Sequence, residues 1–256
     1  MIRAALIQLT VSDDPAANLA VTQARIAEAA AGGAGFVLTP ECSNILSSNR
    51  AHQRAVLRHE EDDPTLAALR EQAAGLGIWL LIGPDGAVAA RYDKIHMFDV
   101  NVSETEVYRE SAAYRPGARA VVAETPFAKI GMTVCYDVRF PHLYRRLAKA
   151  GAQILTVPAA FNHITGAAHW ETLLRARAIE TGCFVLAPAQ TGFHAEQHGK
   201  GRRTFGHSLV ITPWGDVRAD AGTAPGVTLV DLDLAEVTRA RARIPSLHHD
   251  REFTGP

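Results

Sequence analysis

The chain has 256 residues, which is long enough for one sizeable hydrophobic core. Its 47% apolar and 21% charged residues are typical of a globular protein, and a formal net charge of −1 argues against strong attraction to nucleic acid or an anionic membrane. No apolar run approaches the roughly 20 residues that cross a bilayer. We therefore expect a single domain over residues 1–256, with neither a nucleic acid nor a membrane as its partner.

Apolar runs alternate with amphipathic stretches along the chain. The apolar runs predict strands at 2–9, 35–41, 129–135, 153–161, 183–190 and 226–234. The amphipathic stretches predict helices at 15–33, 64–77, 141–151 and 167–182, followed by a short helix near the end. Turn residues predict hairpins over 78–93, turning at 84–86, and over 204–222, turning at 213–216. This alternation predicts an α/β fold with a mixed sheet.

One internal similarity stands out. The segment "AAAGGAGFVLTPE" is similar to "AKAGAQILTVPAA", since in each a helix ends in Ala and Gly and a strand then ends in Thr and Pro. The pattern suggests two related halves stacked face to face.

The three cysteines, Cys42, Cys135 and Cys183, are widely spaced and form no disulfide framework or zinc-binding pattern. The eleven histidines are scattered and likewise show no metal-ligand spacing. We expect a reducing, cytoplasmic setting and a protein without a metal or organic cofactor.

Polar residues end three of the apolar runs: Glu41 after "GFVLTP", Lys94 after "AVAARYD" and Cys135 after "KIGMTV". Active sites of open α/β sheets gather at strand ends. A carboxylate can take the proton of a thiol, and an ammonium group can lower the thiol pKa and stabilise an oxyanion. The set predicts a cysteine nucleophile, although a buried cysteine can be a plain core residue, Glu41 a cap and Lys94 a solvated loop charge.

Longer motifs around these residues resemble those of a known family. The stretches "TPE", "YDKIHMFDV" and "GMTVCYDVRFPHLYR" resemble the three signatures of the nitrilase superfamily, the carbon–nitrogen hydrolases. The similarity extends through "PAAFNHITGAAHWE" and "GHSLVITPWGDV", covers essentially the whole chain, and is strongest to the Nit branch of deaminated glutathione amidases and omega-amidases. It implies a four-layer αββα sandwich with two mixed sheets, assembled as a homodimer or larger homo-oligomer.

The resemblance also implies roles for individual residues. Glu41 would be the general base, Lys94 the group that stabilises the oxyanion, Cys135 the nucleophile, and Glu110 the residue that orients the lysine and the substrate. A base active near neutral pH suggests a Glu41 pKa that burial raises.

Three further positions match residues that bind substrate in the family. Arg139 would pair with a substrate carboxylate, and Phe161 and Thr165 would line the pocket. Two alternatives stay open, because Arg139 could instead form a salt bridge with Asp137 or Glu171, and Thr165 could cap the helix that follows it.

The implied reaction is hydrolysis of the terminal amide of a small carboxylate-bearing molecule, of the deaminated glutathione or 2-oxo-ω-amide type, to an acid and ammonia through a thioester. Nitrilase, carbamoyl amidase or another superfamily activity would use the same three residues, and a non-catalytic relative of the fold is the other alternative.

The sequence departs from the family pattern upstream of Lys94. In "GIWLLIGPDGAVAARYDK" the apolar "WLLIG" runs directly into "PDG", where family members have a further loop and strand. We expect a shortened hairpin near Gly83 and Pro84, which puts the placement of Lys94 in doubt.

Overall fold

Two β-sheets lie face to face between two layers of helices in the computed structural model, which describes residues 1–80, 83–104 and 106–255. The helices are α1 (Pro15–Ala31), α2 (Arg50–Val56), α3 (Pro64–Leu76), α4 (Pro141–Lys149), α5 (His163–Thr181) and α6 (Ala235–Arg243). The strands are β1 (Ile2–Gln8), β2 (Phe36–Leu38), β3 (Asp99–Asn101), β4 (Val107–Arg109), β5 (Val121–Glu124), β6 (Lys129–Met132), β7 (Ile154–Thr156), β8 (Phe184–Ala187), β9 (Thr191–His194), β10 (Arg202–Phe205), β11 (Leu209–Ile211), β12 (Val217–Asp220) and β13 (Gly226–Leu232).

Both main sheets are mixed, as predicted. The smaller sheet has the order β13-β1-β2, with β1 antiparallel to β13 and parallel to β2. The larger sheet has the order β12-β11-β8-β7-β6-β5, and its central strands β6, β7 and β8 are parallel. Two separate hairpins pair β3 with β4 and β9 with β10.

Alternation along the strands builds the four layers. Leu6 of β1 and Ile154 of β7 belong to one buried cluster between the two sheets. The next residue of β1, Ile7, points the other way and packs with Ile26 of α1. Leu155 likewise belongs to the cluster that the larger sheet forms with α4 and α5. The predicted αββα sandwich is therefore confirmed.

Most predicted elements are present, with shorter strands than the apolar runs suggested. Helix α1 begins at Pro15, and the Asp14 side chain caps it by accepting hydrogen bonds from the backbone N–H groups of Ala16 and Ala17. The hairpin at 204–222 is formed by β11 and β12, although β10 already ends at Phe205 and pairs with β9. No helix among the described residues is both long and apolar enough to cross a membrane.

The predicted hairpin at 78–93 is only partly confirmed. The turn is present, because the Gly83 N–H donates to the Ala87 carbonyl at 2.7 Å and Gly86 has φ +76°. Trp79 pairs with Phe36 in an isolated bridge, and residues 83–93 contain no regular strand. Leu81 and Ile82, which belong to the predicted first strand, lie outside the described residues.

Candidate active site

The four predicted catalytic residues converge at the ends of the two sheets. The Lys94 Nζ atom donates hydrogen bonds to Glu41 Oε1 and to Glu110 Oε1, each at 2.9 Å. The Cys135 thiol lies close enough to Glu41 and Lys94 for the charges of both groups to shift its pKa. All four groups lie largely out of solvent, and Cys135 is only 7% exposed. A carboxylate, an ammonium group and a thiol in contact are the parts that nucleophilic catalysis by cysteine needs.

Cys135 lies on a strained turn directly after β6. Its φ of +49° is in the left-handed region, which costs a residue with a side chain roughly 1–2 kcal/mol. The turn is held because the Cys135 N–H donates to the Pro158 carbonyl at 2.9 Å, and a 3₁₀ helix over Cys135–Arg139 follows at once. The sharp change of direction places Cys135 just beyond the carboxyl end of β6.

Glu41 follows β2, and its carboxylate is held from the other half of the chain. The Ala160 N–H donates to Glu41 Oε2 at 2.9 Å, and the buried Gln190 side chain donates to the Glu41 backbone carbonyl at 3.0 Å. Glu41 and Ala160 end the two similar segments found in the sequence, so the corresponding strand ends of the two segments meet at this site.

Asp137 is a buried residue that the sequence reasoning assigned no role of its own. Its carboxylate accepts hydrogen bonds from the Tyr92 hydroxyl at 2.7 Å, the His96 N–H at 3.0 Å, His96 Nδ1 at 2.7 Å and the Val134 N–H at 2.9 Å. Tyr92 and His96 flank Lys94 on either side. Asp137 therefore fixes the lysine segment against the cysteine turn.

Glu110 begins a 3₁₀ helix after β4. Its second oxygen, Oε2, accepts a hydrogen bond from the Phe98 N–H at 2.6 Å. Since Oε1 binds Lys94, Glu110 holds the ammonium group from the side opposite to the β2 end.

The pKa shifts of the site residues differ in part from those expected from the sequence. Burial opposes a charge on Glu41, but Lys94 and the Ala160 N–H outweigh it and hold the pKa of Glu41 below its ordinary value. Burial and then the charge of Glu41 raise the pKa of the Cys135 thiol well above its ordinary value, although Lys94 opposes this rise. Burial disfavours the Lys94 ammonium, but Glu41 and its neighbours raise the pKa of Lys94. The expected raised pKa of Glu41 is wrong. Lys94 does lower the pKa of the Cys135 thiol as expected, but burial and Glu41 outweigh it. These directions favour a carboxylate, a thiol and an ammonium group in the resting site.

Arg139 is the last residue of the 3₁₀ helix that begins at Cys135, and its side chain is half-buried. Its guanidinium carbon lies 5.4 Å from the centre of the Phe161 ring, and its Nη2 donates to His169 Nδ1 at 3.3 Å. Among the described residues Arg139 forms no ion pair, so the alternative of a salt bridge to Asp137 or Glu171 is wrong. Burial lowers the pKa of Arg139, and no carboxylate in the described part of the chain offsets the loss of water.

Thr165 lies in the first turn of α5, but it is not the cap. Asn162 caps this helix, because its side-chain oxygen accepts hydrogen bonds from the N–H groups of Ile164 at 2.9 Å and Thr165 at 3.2 Å. Phe161 precedes the cap, is buried, and packs on Trp170 with the ring centres 4.7 Å apart. The alternative that Thr165 caps this helix is therefore wrong.

One group of residues has the composition of a metal site. Ligand atoms of Asp13, His52 and His198 lie within 4.8 Å of one another. The Asp13 carboxylate already accepts the backbone N–H groups of Gln197 and His198 at 3.0 and 2.9 Å, and His52 Nε2 bonds to the Asp13 carbonyl at 2.7 Å. These hydrogen bonds join α2 to the β9–β10 loop.

The chain is similar to known proteins over most of its length. The sequence profile of the carbon–nitrogen hydrolase family matches residues 3–84 and 80–242. Deaminated glutathione amidase from Yersinia enterocolitica is 39% identical over 269 residues, which cover 96% of this chain and 92% of the relative. The Caenorhabditis elegans NitFhit structure superposes with a TM-score of 0.89 at 33% identity, covering 98% of this chain, and this chain spans 65% of the NitFhit chain.

A further similar structure is that of an amidase with a modified cysteine. A glutamate-to-glutamine variant of the amidase from Nesterenkonia sp. AN1, with acrylamide added at its active-site cysteine, superposes with a TM-score of 0.76 at 29% identity. The alignment covers 96% of this chain and 98% of the amidase. The chain belongs to the carbon–nitrogen hydrolase family. It is a cysteine-dependent hydrolase that acts on carbon–nitrogen bonds other than peptide bonds.

The sequence comparisons also provide information on the shortened hairpin. Residues 80–84 take part in both parts of the family match, and the alignment with the Yersinia relative has more positions than this chain has residues. Both findings support the prediction that a loop and a strand are missing upstream of Lys94.

Proposed function

We propose that this protein hydrolyses the amide of a small molecule whose acyl part carries a carboxylate, with deaminated glutathione or a 2-oxo-ω-amide as the substrate. The observation that carries the proposal is the group of Glu41, Lys94 and Cys135 close to Arg139, a half-buried cation that has no carboxylate partner among the described residues. Arg139 would bind the acyl-side carboxylate by charge-assisted hydrogen bonds, and Phe161 and Thr165 would line the pocket.

Acylation begins with the protonated thiol. Glu41 takes the thiol proton as the Cys135 sulfur attacks the amide carbon, and the carbonyl oxygen becomes an oxyanion. Lys94 Nζ and the N–H of Tyr136 stabilise that charge, and Glu110 keeps Lys94 in place. Glu41 then gives its proton to the amide nitrogen as the carbon–nitrogen bond breaks, which leaves a thioester and releases ammonia or an amine.

Deacylation reuses the same base. Glu41 takes a proton from water, the hydroxide attacks the thioester carbon, and Lys94 again stabilises the oxyanion. The carbon–sulfur bond breaks, the acid leaves, and the thiolate regains the proton from Glu41. Because the lowered pKa of Glu41 keeps it ionised at neutral pH, the base is ready at the start of each half-reaction.

The test of this proposal combines turnover with detection of the acyl enzyme. Cys135→Ala is expected to abolish release of acid from deaminated glutathione and from 2-oxoglutaramate. Mass spectrometry of the wild-type protein quenched during turnover is expected to show the acyl group on Cys135. Cys183→Ala is the matched control, because Cys183 is a buried core cysteine that should affect packing and leave the adduct in place.

The same measurements separate the alternatives. Faster turnover of nitriles or N-carbamoyl amino acids than of the 2-oxo amides would assign another activity of the family. A wild-type protein that forms no acyl adduct with any of these compounds would be a non-catalytic relative. If Cys135→Ala retained full amidase turnover, the assignment of Cys135 as the nucleophile would be wrong.

We also propose that residues 1–256 form a single domain that assembles as a homodimer or larger homo-oligomer in a reducing, cytoplasmic setting. Three free cysteines support that setting. Two exposed apolar residues on the outer helical side, Ile179 and Trp214, are 56% and 43% exposed and would be covered by a second copy. Light scattering should report an oligomer that Ile179→Glu dissociates, whereas Val21→Glu on the opposite helical layer leaves it intact.

A further inference from the structure

A second guanidinium group, that of Arg202 in β10, borders the active site and has no part in the proposed chemistry. Its Nη2 donates to the Ala160 carbonyl at 3.2 Å, while the Ala160 N–H donates to Glu41 Oε2 at 2.9 Å. Arg202 and Glu41 are thus held by the two backbone groups of a single residue. This arrangement places the cation beside the proposed general base.

The described residues do not supply all the partners of the Arg202 guanidinium. Its Nε is buried without a hydrogen-bond partner, and within the described part of the chain no carboxylate pairs with it. The nearby Glu106 carboxylate accepts instead from Asn162 Nδ2 at 2.7 Å and from the Tyr108 hydroxyl at 3.4 Å. A half-buried guanidinium without a carboxylate partner is costly unless an anion binds it.

The surroundings of Arg202 belong to the rim of the site. Burial raises the pKa of the Tyr108 hydroxyl, and a hydrogen bond from Asn162 and the positive charge of Arg202 oppose that rise. Tyr108 lies on β4, in the hairpin that leads directly to Glu110. The Arg202 charge therefore acts on the β3–β4 hairpin, while its guanidinium is bonded to Ala160 next to the catalytic residues.

The mechanism indicates which end of a substrate faces this charge. Glu41 must reach the departing nitrogen to protonate it, so the amine part of the substrate lies on the Glu41 side of the cysteine. Arg139 would hold the acyl part on the other side. Arg202 is then the cation on the amine side.

We propose that Arg202 forms a second anion-binding subsite, which takes a carboxylate carried by the leaving amine. The inference rests on the proposed function and narrows its substrate class to amides that have a carboxylate on both sides of the scissile bond. Deaminated glutathione is such a compound, because its leaving group is a dipeptide that ends in the glycine carboxylate and extends about 7 Å. 2-Oxoglutaramate lacks this second carboxylate, since its leaving group is ammonia.

The experiment compares these two substrates on the same enzyme preparations. Arg202→Gln is expected to lower kcat/KM for deaminated glutathione roughly 10- to 100-fold, mainly through KM, and to change kcat/KM for 2-oxoglutaramate less than about 2-fold. Arg202→Lys should lower kcat/KM for deaminated glutathione less than Arg202→Gln does, because lysine keeps the positive charge. Some loss should remain, because lysine lacks the planar fork that binds a carboxylate bidentately. The matched control is Arg203→Gln, because Arg203 is the exposed neighbour on the same strand, stacked over Phe193.

The ratio of the two kcat/KM values does not depend on how much of a variant is folded. As a check on the ligand side, conversion of the glycine carboxylate of deaminated glutathione to an amide should impair the wild-type protein as Arg202→Gln does, and should add nothing in Arg202→Gln. An equal loss for both substrates would mean that Arg202 merely supports Ala160 and Glu41, and it would overturn the subsite, as would no loss at all. If the wild-type protein turned over neither substrate, the proposed function itself would fail.

Discussion

The segment that carries Cys135 and the segment that leads to Lys94 are built very differently. Cys135 follows β6 in the interior of a six-stranded sheet and is covered by α4 and α5. Residues 83–93 before Lys94 contain a tight turn but no regular strand, and the neighbouring sheet has three strands. Even so, Lys94 Nζ lies 2.9 Å from each of two carboxylates.

The difference shows what positions the lysine. Asp137 belongs to the well-packed cysteine turn, and it binds Tyr92 and His96 on either side of Lys94. The shortened hairpin is therefore not the element that places Lys94. The half of the molecule that holds the thiol also holds the segment of the ammonium group, so we expect a shorter hairpin upstream to leave the site assembled.

The largest effect is expected from removing the ammonium group itself. Lys94→Met should lower kcat about 10²- to 10³-fold, because the oxyanion loses a buried charged donor. Steady-state kinetics with 2-oxoglutaramate measures the loss. Lys129→Met is the control, since Lys129 pairs with Glu124 on an exposed sheet edge and should leave kcat unchanged. A similar loss in both variants would contradict the assignment.

Substitution of Asp137 tests whether the cysteine turn positions the lysine segment. Asp137→Asn keeps the size of the side chain but removes one of two acceptor oxygens, so it should lower the free energy of unfolding by about 1–3 kcal/mol. It should also lower kcat roughly 10-fold, because a displacement of about 1 Å in a catalytic group is costly. Denaturant melts and kinetics measure the two effects. If stability fell and kcat did not, Asp137 would be structural only.

Acid should affect the site through Glu41. Its folded-state pKa lies below the ordinary glutamate value of about 4.3, so the ionised form contributes stability that is fully present above that value. This contribution is lost as the pH falls through the folded-state pKa. Between pH 5 and 3 the free energy of unfolding should therefore fall more steeply in the wild-type protein than in Glu41→Gln, as measured by urea melts. Parallel curves would show that the pKa of Glu41 is not lowered.

The smallest effect is expected in the hairpin upstream of Lys94. The Asp85 side chain accepts a hydrogen bond from the Ala87 N–H at 2.9 Å in an exposed turn. Asp85→Ala should change the free energy of unfolding by only about 0.5 kcal/mol and kcat by less than about 2-fold. A large loss of kcat would mean that this hairpin, and not Asp137, places the lysine.

Much of the fold could be predicted because the buried strands are plain apolar runs with a polar residue at their ends. Glu41 and Cys135 were found in this way, since each follows such a run. The β3–β4 and β9–β10 hairpins were missed because their strands are short and polar, and backbone pairing forms them without an apolar pattern.

The parts of the site that escaped prediction depend on contacts that are distant in sequence. Asp137 binds Tyr92, 45 positions away, and Arg202 binds Ala160, 42 positions away. The direction of the pKa shifts could not be predicted either, because it depends on the balance between burial and the neighbouring charges. For Glu41 the ion pair outweighs burial, and for Cys135 burial outweighs the lysine.

The protonated state of the Cys135 thiol has a consequence for the chemical durability of the enzyme. Peroxide and common alkylating reagents consume thiolates, so a sulfur that keeps its proton at rest reacts slowly with them. Only a compound that fills the pocket and offers an electrophilic carbon next to the sulfur draws the proton onto Glu41. We therefore expect the thiol to survive many catalytic cycles, and inhibitors that resemble the amide should react with Cys135 in preference to ordinary reactive cysteines.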